Sequence, residues 1–169
     1  MRQLMLTGRL AKERRMTYKS FGMLMGTAVA LAIPASGQEK KIDRSDLPAS
    51  VVKTVDGETK GSTIKGYSTE RENGKKVYEV ETVLSGHTRD LQIAEDGTLN
   101  EIEEEVSLTS LPDAVQKGLQ GKAKGAKITK VESLTKGGRL VAYEAATLRG
   151  AKKGEVQVGP DGAGLKHAE

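Results

Sequence analysis

The chain has 169 residues, with 27 Lys and Arg against 23 Asp and Glu, and it has no cysteine. A disulfide framework and a thiol nucleophile are therefore both excluded. Residues 1–37 hold six of the basic residues and one of the acidic ones, leaving 21 against 22 in the remainder, a net charge of −1 that gives no ground for a nucleic-acid reading.

Residues 1–37 read as a signal peptide. Phe21 to Ile33 is a 13-residue run without a charge, preceded by Arg14, Arg15 and Lys19 and followed by Pro34-Ala35-Ser36-Gly37. That is the basic, apolar, small-residue order of a secretory leader. As a helix the run would rise only about 20 Å, short of a bilayer core of about 30 Å, so no membrane span is expected once it is removed. Cleavage after Ala35 or Gly37 fits best, with a mature start near Gln38. Arg14-Arg15 also stands where an export signal for folded proteins has its twin arginines, but the residues after it match that signal poorly. Met16 is an alternative start.

Residues 38–45 are polar and read as a flexible tail. A helix follows, with Pro48 in its first turn, Leu47, Val51, Val52 and Val55 as its apolar stripe, and Gly57 at its end. Strands are predicted at Thr63–Glu70, Lys76–Leu84, Thr88–Ala94 and Thr98–Val106, with turns at Asn73-Gly74, Gly86 and Asp96-Gly97. A second helix opens at Ser110-Leu111-Pro112, carries the stripe Leu111, Ala114, Val115 and Leu119, and ends at Gly121. Four more strands are predicted at Lys127–Leu134, Arg139–Leu148, Gly154–Val158 and Ala163–His167, the last after Asp161-Gly162. Ile64 and Tyr67, like Ile128 and Val131, are three residues apart, so a β-bulge between the members of each pair is needed to put both on one core.

The second half echoes the first at an offset of 64 to 65 residues, from Leu47-Pro48 and Leu111-Pro112 to Asp96-Gly97 and Asp161-Gly162. Internal repetition decides architecture early. The expected fold is therefore α+β: two tandem repeats, 46–106 and 107–169, each a helix plus a four-stranded antiparallel sheet, with the helices packed on one face. Units of about 60 residues bury too little surface to stand comfortably alone, so the two should share a core or pair edge to edge.

Leu-Pro-x-x-Val at the helix start, Gly125-Ala126-Lys127-Ile128 running on to Val131-Glu132, the polar hairpin, Tyr143-Glu144 and the closing Asp161-Gly162 resemble the PepSY-like domains of exported bacterial proteins. The doubled unit is similar in architecture to beta-lactamase inhibitor protein. The resemblance implies a non-catalytic periplasmic or secreted module that binds protein or peptide, in some cases restraining an enzyme. Tyr67, Tyr78 and Tyr143 are the aromatic residues after the leader, whereas tight protein interfaces lean on Tyr, Trp and Arg.

No catalytic residues are expected. The chain lacks a Gly-x-Ser-x-Gly elbow, a His-Glu-x-x-His pair and a phosphate loop, and its two histidines, His87 and His167, read as solvated. No cofactor and no metal are expected either. The sharpest charge feature is Glu101, Glu103, Glu104 and Glu105: on a strand, Glu101, Glu103 and Glu105 share one face while Ile102 and Val106 take the other. Those three glutamates are the candidate partner surface, against the plainer reading of a solvated outer face. Lys122, Lys124, Lys127, Lys130, Lys136, Lys152 and Lys153 make the second half more basic, without the interleaved aromatics that nucleic acid would need. The leading functional expectation is a binding module that contacts another envelope or secreted protein. The alternative is a calcium- or cation-responsive envelope protein using the Glu101–Glu105 face.

Overall fold

The computed structural model describes residues 39–72, 74–167 and 169. The leader, its cleavage site and Asn73 of the first hairpin lie outside them. Its elements are β1 (Lys40–Ile42), α1 (Ala49–Glu58), β2 (Thr63–Glu72), β3 (Lys75–Leu84), β4 (His87–Ala94), β5 (Leu99–Glu105), α2 (Asp113–Ala123), β6 (Lys127–Lys136), β7 (Arg139–Arg149) and β8 (Lys152–Val158). The strands form one antiparallel sheet in the order β1 to β8, each paired with the next.

This corrects the expectation of two tandem helix-plus-four-strand repeats. β5 pairs directly with β6, from Glu101 opposite Lys136 to Glu105 opposite Glu132, so the sheet runs unbroken through the supposed boundary at 106/107. An open edge on a unit of that size would be a liability, and pairing removes it. The strand predicted at Ala163–His167 is reduced to a single bridge between Val158 and Gly164, because the chain turns at Pro160–Gly162 and seats itself on α2. At the other edge Lys40–Ile42, read as part of a flexible tail, pairs with Tyr67–Thr69 as β1.

Each helix starts one residue after a proline, with Pro48 and Pro112 in extended conformation at the caps. Proline fits there because the first N–H groups of a helix have no internal partner. Gly57 and Gly121 lie inside the helices instead of ending them, and α2 is closed by Lys124 in left-handed conformation (φ 48°). Val51 and Val55 of α1 pack on Tyr78, Val80, Leu91 and Ile93, while Val115 and Leu119 of α2 pack on Val131, Ala145 and Val158. Both bulges fall where the spacing requires them, between Ile64 and Gly66 and between Ile128 and Lys130. They bring Ile64 and Tyr67 to the first cluster and Ile128 and Val131 to the second.

The Asp-Gly turns are also docking points. Ser50 Oγ donates to Glu95 O at 2.7 Å and Thr54 Oγ1 to Gly97 O at 2.6 Å, tying the β4–β5 turn to α1. The Pro160–Gly162 turn lies on α2 so closely that a Cβ on Gly118 would overlap Gly162 O and stand 3.1 Å from Gly162 C.

Candidate functional site

Ile102 belongs to the helix-covered side, and its neighbours Glu101 and Glu103 take the other by strand alternation. Register then assembles that second side across the sheet. Asp90 of β4 stands opposite Glu81 of β3 and Glu103 of β5, and Glu103 in turn opposite Leu134 of β6. One row further, Glu132 of β6 stands between Glu105 of β5 and Glu144 of β7. Glu79 and Glu155 extend the same side onto β3 and β8. Carboxylates from six consecutive strands therefore share a face that no helix covers.

Glu101, Glu103 and Glu105 share this side, as their spacing implies, but do not act as a set. Glu101 lies 3.4 Å from the ammonium of Lys136, and Glu105 Oε2 accepts the N–H of Thr88 at 3.1 Å. Glu103 instead joins Asp90 and Glu132, with one oxygen from each residue within 4.8 Å of the others. Neither partner was legible as such in the sequence, because the three residues come from separate strands and meet only through register. Asp90 Oδ1 also accepts the N–H of Thr82 at 3.1 Å. Lys130 Nζ stands 2.6 Å from Glu132 Oε1, a close ion pair that lies off the direction a hydrogen bond needs. Glu101 Oε1 and Glu132 Oε1 are both buried without a hydrogen-bond donor.

Three carboxylate oxygens so close together meet the minimum spacing of a cation site, but the Lys130 ammonium already occupies that role, and we assign the cluster no metal. Asp96 and Asp161 of the Asp-Gly turns each accept a turn N–H at 2.9 Å, from Thr98 and Ala163. His87 and His167 are exposed. Of the lysines in the second half, Lys130 and Lys136 turn onto the acidic face, whereas Lys122, Lys124, Lys127, Lys152 and Lys153 are exposed. An open depression of about 280 Å³ beside Glu101 is lined by Glu72, Lys75, Val77, Gln92, Asn100 and Lys136.

Burial and mutual repulsion hold Glu79, Asp90, Glu101, Glu103, Glu144 and Glu155 in their neutral form to higher pH than usual. Burial pushes Glu103 up to about 8, helped by the charges of Glu132, Glu101, Glu144 and Asp90. Burial likewise raises Asp90 to about 6, against the opposing hydrogen bond from Thr82, and raises Glu79 and Glu155 to about 7 each. Glu101 and Glu144 are raised by the same cause.

A carboxyl whose pKa is higher in the folded state stabilises the fold fully below its unfolded value and loses that contribution as pH rises through the folded value. For Glu103 the window runs from about 4.5 to about 8. The protein should therefore be more stable in urea at pH 6 than at pH 9, opposite to ordinary acid lability. One pKa unit corresponds to about 1.4 kcal/mol, so Glu103→Gln should raise stability at pH 9 by about 1–3 kcal/mol and flatten the pH profile. A variant less stable than the parent at pH 9 would show that Glu103 is ionised without strain.

A continuous antiparallel sheet with two helices on one side and a carboxylate face on the other defines the class of protein. Solved structures share its fold: a protein described as periplasmic from Bacteroides eggerthii (14% identity, 71% of this chain and 86% of that one, TM-score 0.58), a DUF2874 family protein from Bacteroides ovatus (16%, 71% and 85%, 0.56) and a BLIP-like protein from Bacteroides fragilis (16%, 70% and 83%, 0.54). The BLIP-like neighbour agrees with the architectural resemblance drawn from the sequence. No family model and no curated protein matches the chain, so the PepSY-like resemblance rests on its motifs alone. No helix among the described residues is long and apolar enough to cross a membrane.

Proposed function

We propose that the chain is an exported, non-catalytic binding module of the periplasm that offers its acidic sheet face to a basic segment of another envelope or secreted protein. The observation that carries this is the uncovered face itself, where crowding and burial leave Glu103 with a pKa of about 8. An incoming positive charge would relieve that repulsion. The location is supported by the leader-like residues 1–37 and by the periplasmic description of the Bacteroides eggerthii neighbour. Charge sets the mode of binding, because Tyr78 is buried in the core and Tyr67 and Tyr143 pack against it, leaving no freely exposed aromatic anchor among the described residues. Docking of this kind gains on-rate and selectivity from complementary potential and weakens with salt.

An N-acetylated hexalysine peptide should bind the protein at low ionic strength and weaken by about tenfold or more as salt rises from 20 to 200 mM. Glu81→Lys, at an exposed position on the face, should weaken it further. Affinity indifferent to both changes would exclude the face as the docking surface. The cation-responsive alternative requires a different result: saturable calcium binding that disappears when Glu101, Glu103 and Glu105 are all changed to Gln.

A further inference from the structure

We propose that the free edge of β8 pairs antiparallel with the same edge of a second copy of this chain, around a two-fold axis at Gly154, so that two sheets become one. β8 closes the sheet and pairs with β7 alone. Past its end the chain covers its own edge: Val158 bridges Gly164, and Glu169 N–H donates to Gln157 Oε1 at 3.0 Å. Lys152 to Val156 are left without a strand neighbour on their outer side among the described residues. Such an edge is a template for another strand. Gly159 N–H donates to Ala163 O, away from β7. Backbone polar groups alternate along a strand, and β8 pairs with β7 without a register shift, so Glu155 and Lys153 direct their N–H and C=O groups outward as well.

Charge then selects the register and the occupant. Antiparallel pairing sets outward-directed residues opposite one another, so a two-fold axis between identical strands must fall on a residue. An axis on Lys153 or on Glu155 would bring like charges together. With the axis on Gly154, Lys153 of each copy stands opposite Glu155 of the other, and the two exchange backbone hydrogen bonds on both sides of the axis. Opposite charges so placed favour pairing. Neither residue has an ion-pair partner among the described residues. Lys153 of the second copy also arrives beside Glu144 and Glu155, where positive charge is wanted. Gly154 itself falls at the close, non-hydrogen-bonded position, where the strands come nearest and a side chain is absent. The opposite edge of the sheet offers no such match: β1 is Lys40–Ile42, and an axis on Lys41 sets lysine against lysine.

Sedimentation equilibrium of the full chain at pH 8, above the value of about 7 for Glu155, tests this. So short an edge buries less than a standard interface, and a reversible dimer with Kd of about 10–100 µM is expected. Lys153→Glu and Glu155→Lys should each weaken it by about tenfold or more. An equimolar mixture of the two variants should dimerise again, because every pair across the axis is then of opposite charge. The chain has no cysteine, so one introduced thiol reads the register. On oxidation Gly154→Cys should cross-link, its Cβ standing 3.3 Å from Thr147 Oγ1, a side chain that can turn aside. Lys152→Cys should not, since the two copies of that position lie about 13 Å apart along the strands. A parent that stays monomeric, or dimerisation indifferent to both charge reversals, would overturn the proposal while leaving the acidic docking face standing. Failure of the mixture to dimerise, or equal cross-linking of both thiol variants, would overturn it as well.

Discussion

Gly118→Ala should destabilise the protein by about 3 kcal/mol, at the upper end of what overpacking costs. An added Cβ at this point of α2 meets main chain, since Gly162 O and C lie within its radius, and main chain has no rotamer by which to retreat. The turn cannot easily move away either. Gly159 N–H donates to Ala163 O and Gly162 N–H to Gly159 O, both at 2.8 Å, and Gly162 itself has φ 79° with Ala114 O beneath it. Gly121→Ala, three residues further along the same helix, is the control. No atom lies within 4 Å of a Cβ there, so only helix propensity changes and stability should rise by up to about 1 kcal/mol. Urea melts that move both variants in the same direction would show that the Pro160–Gly162 turn is not seated on the helix.

Leu119→Ala is the second large effect. The side chain is fully buried among Val115, Val131, Ala145 and Val158, and truncating a leucine in such a setting costs about 2–5 kcal/mol. Leu140, which is 39% exposed on β7, supplies the comparison, with an expected cost for Leu140→Ala of under about 0.5 kcal/mol. Total stability of about 5–15 kcal/mol leaves the first variant close to unfolding. Similar midpoints for the two would mean that α2 does not form the core of its half.

Local chemistry was legible where it decides structure alone. Pro48 and Pro112 mark helix starts because their ring and missing N–H permit little else, and the three-residue spacings of Ile64 with Tyr67 and Ile128 with Val131 demanded the bulges that are present. Long-range facts were not legible. Lys40–Ile42 has no alternating pattern, and it is a strand because β2 presents an edge to it. Asp161-Gly162 has the composition of a hairpin turn, but the absent side chain at Gly118 gives it a better seat on the helix. The alternation of Glu101, Glu103 and Glu105 revealed the acidic face, yet the residues that matter most to Glu103, Asp90 and Glu132, lie 13 and 29 positions away and are joined to it by register alone.

Pairing every strand with its successor also sets the order in which the molecule can assemble. Contacts between chain neighbours carry small loop-closure penalties, and topologies rich in them fold faster than those built from distant pairings. A chain delivered amino end first can complete the hairpins from β2 to β5 and close Val51 and Val55 over Tyr78 before β6 has arrived. The second helix has to wait longer. Its partners include Val158 and the turn that follows it, so the face of α2 around Gly118 stays open until Val158 to Gly162 are in place. Val158 and the Pro160–Gly162 turn thus work as a latch, closing this part of the core well after the helix they cover has been made.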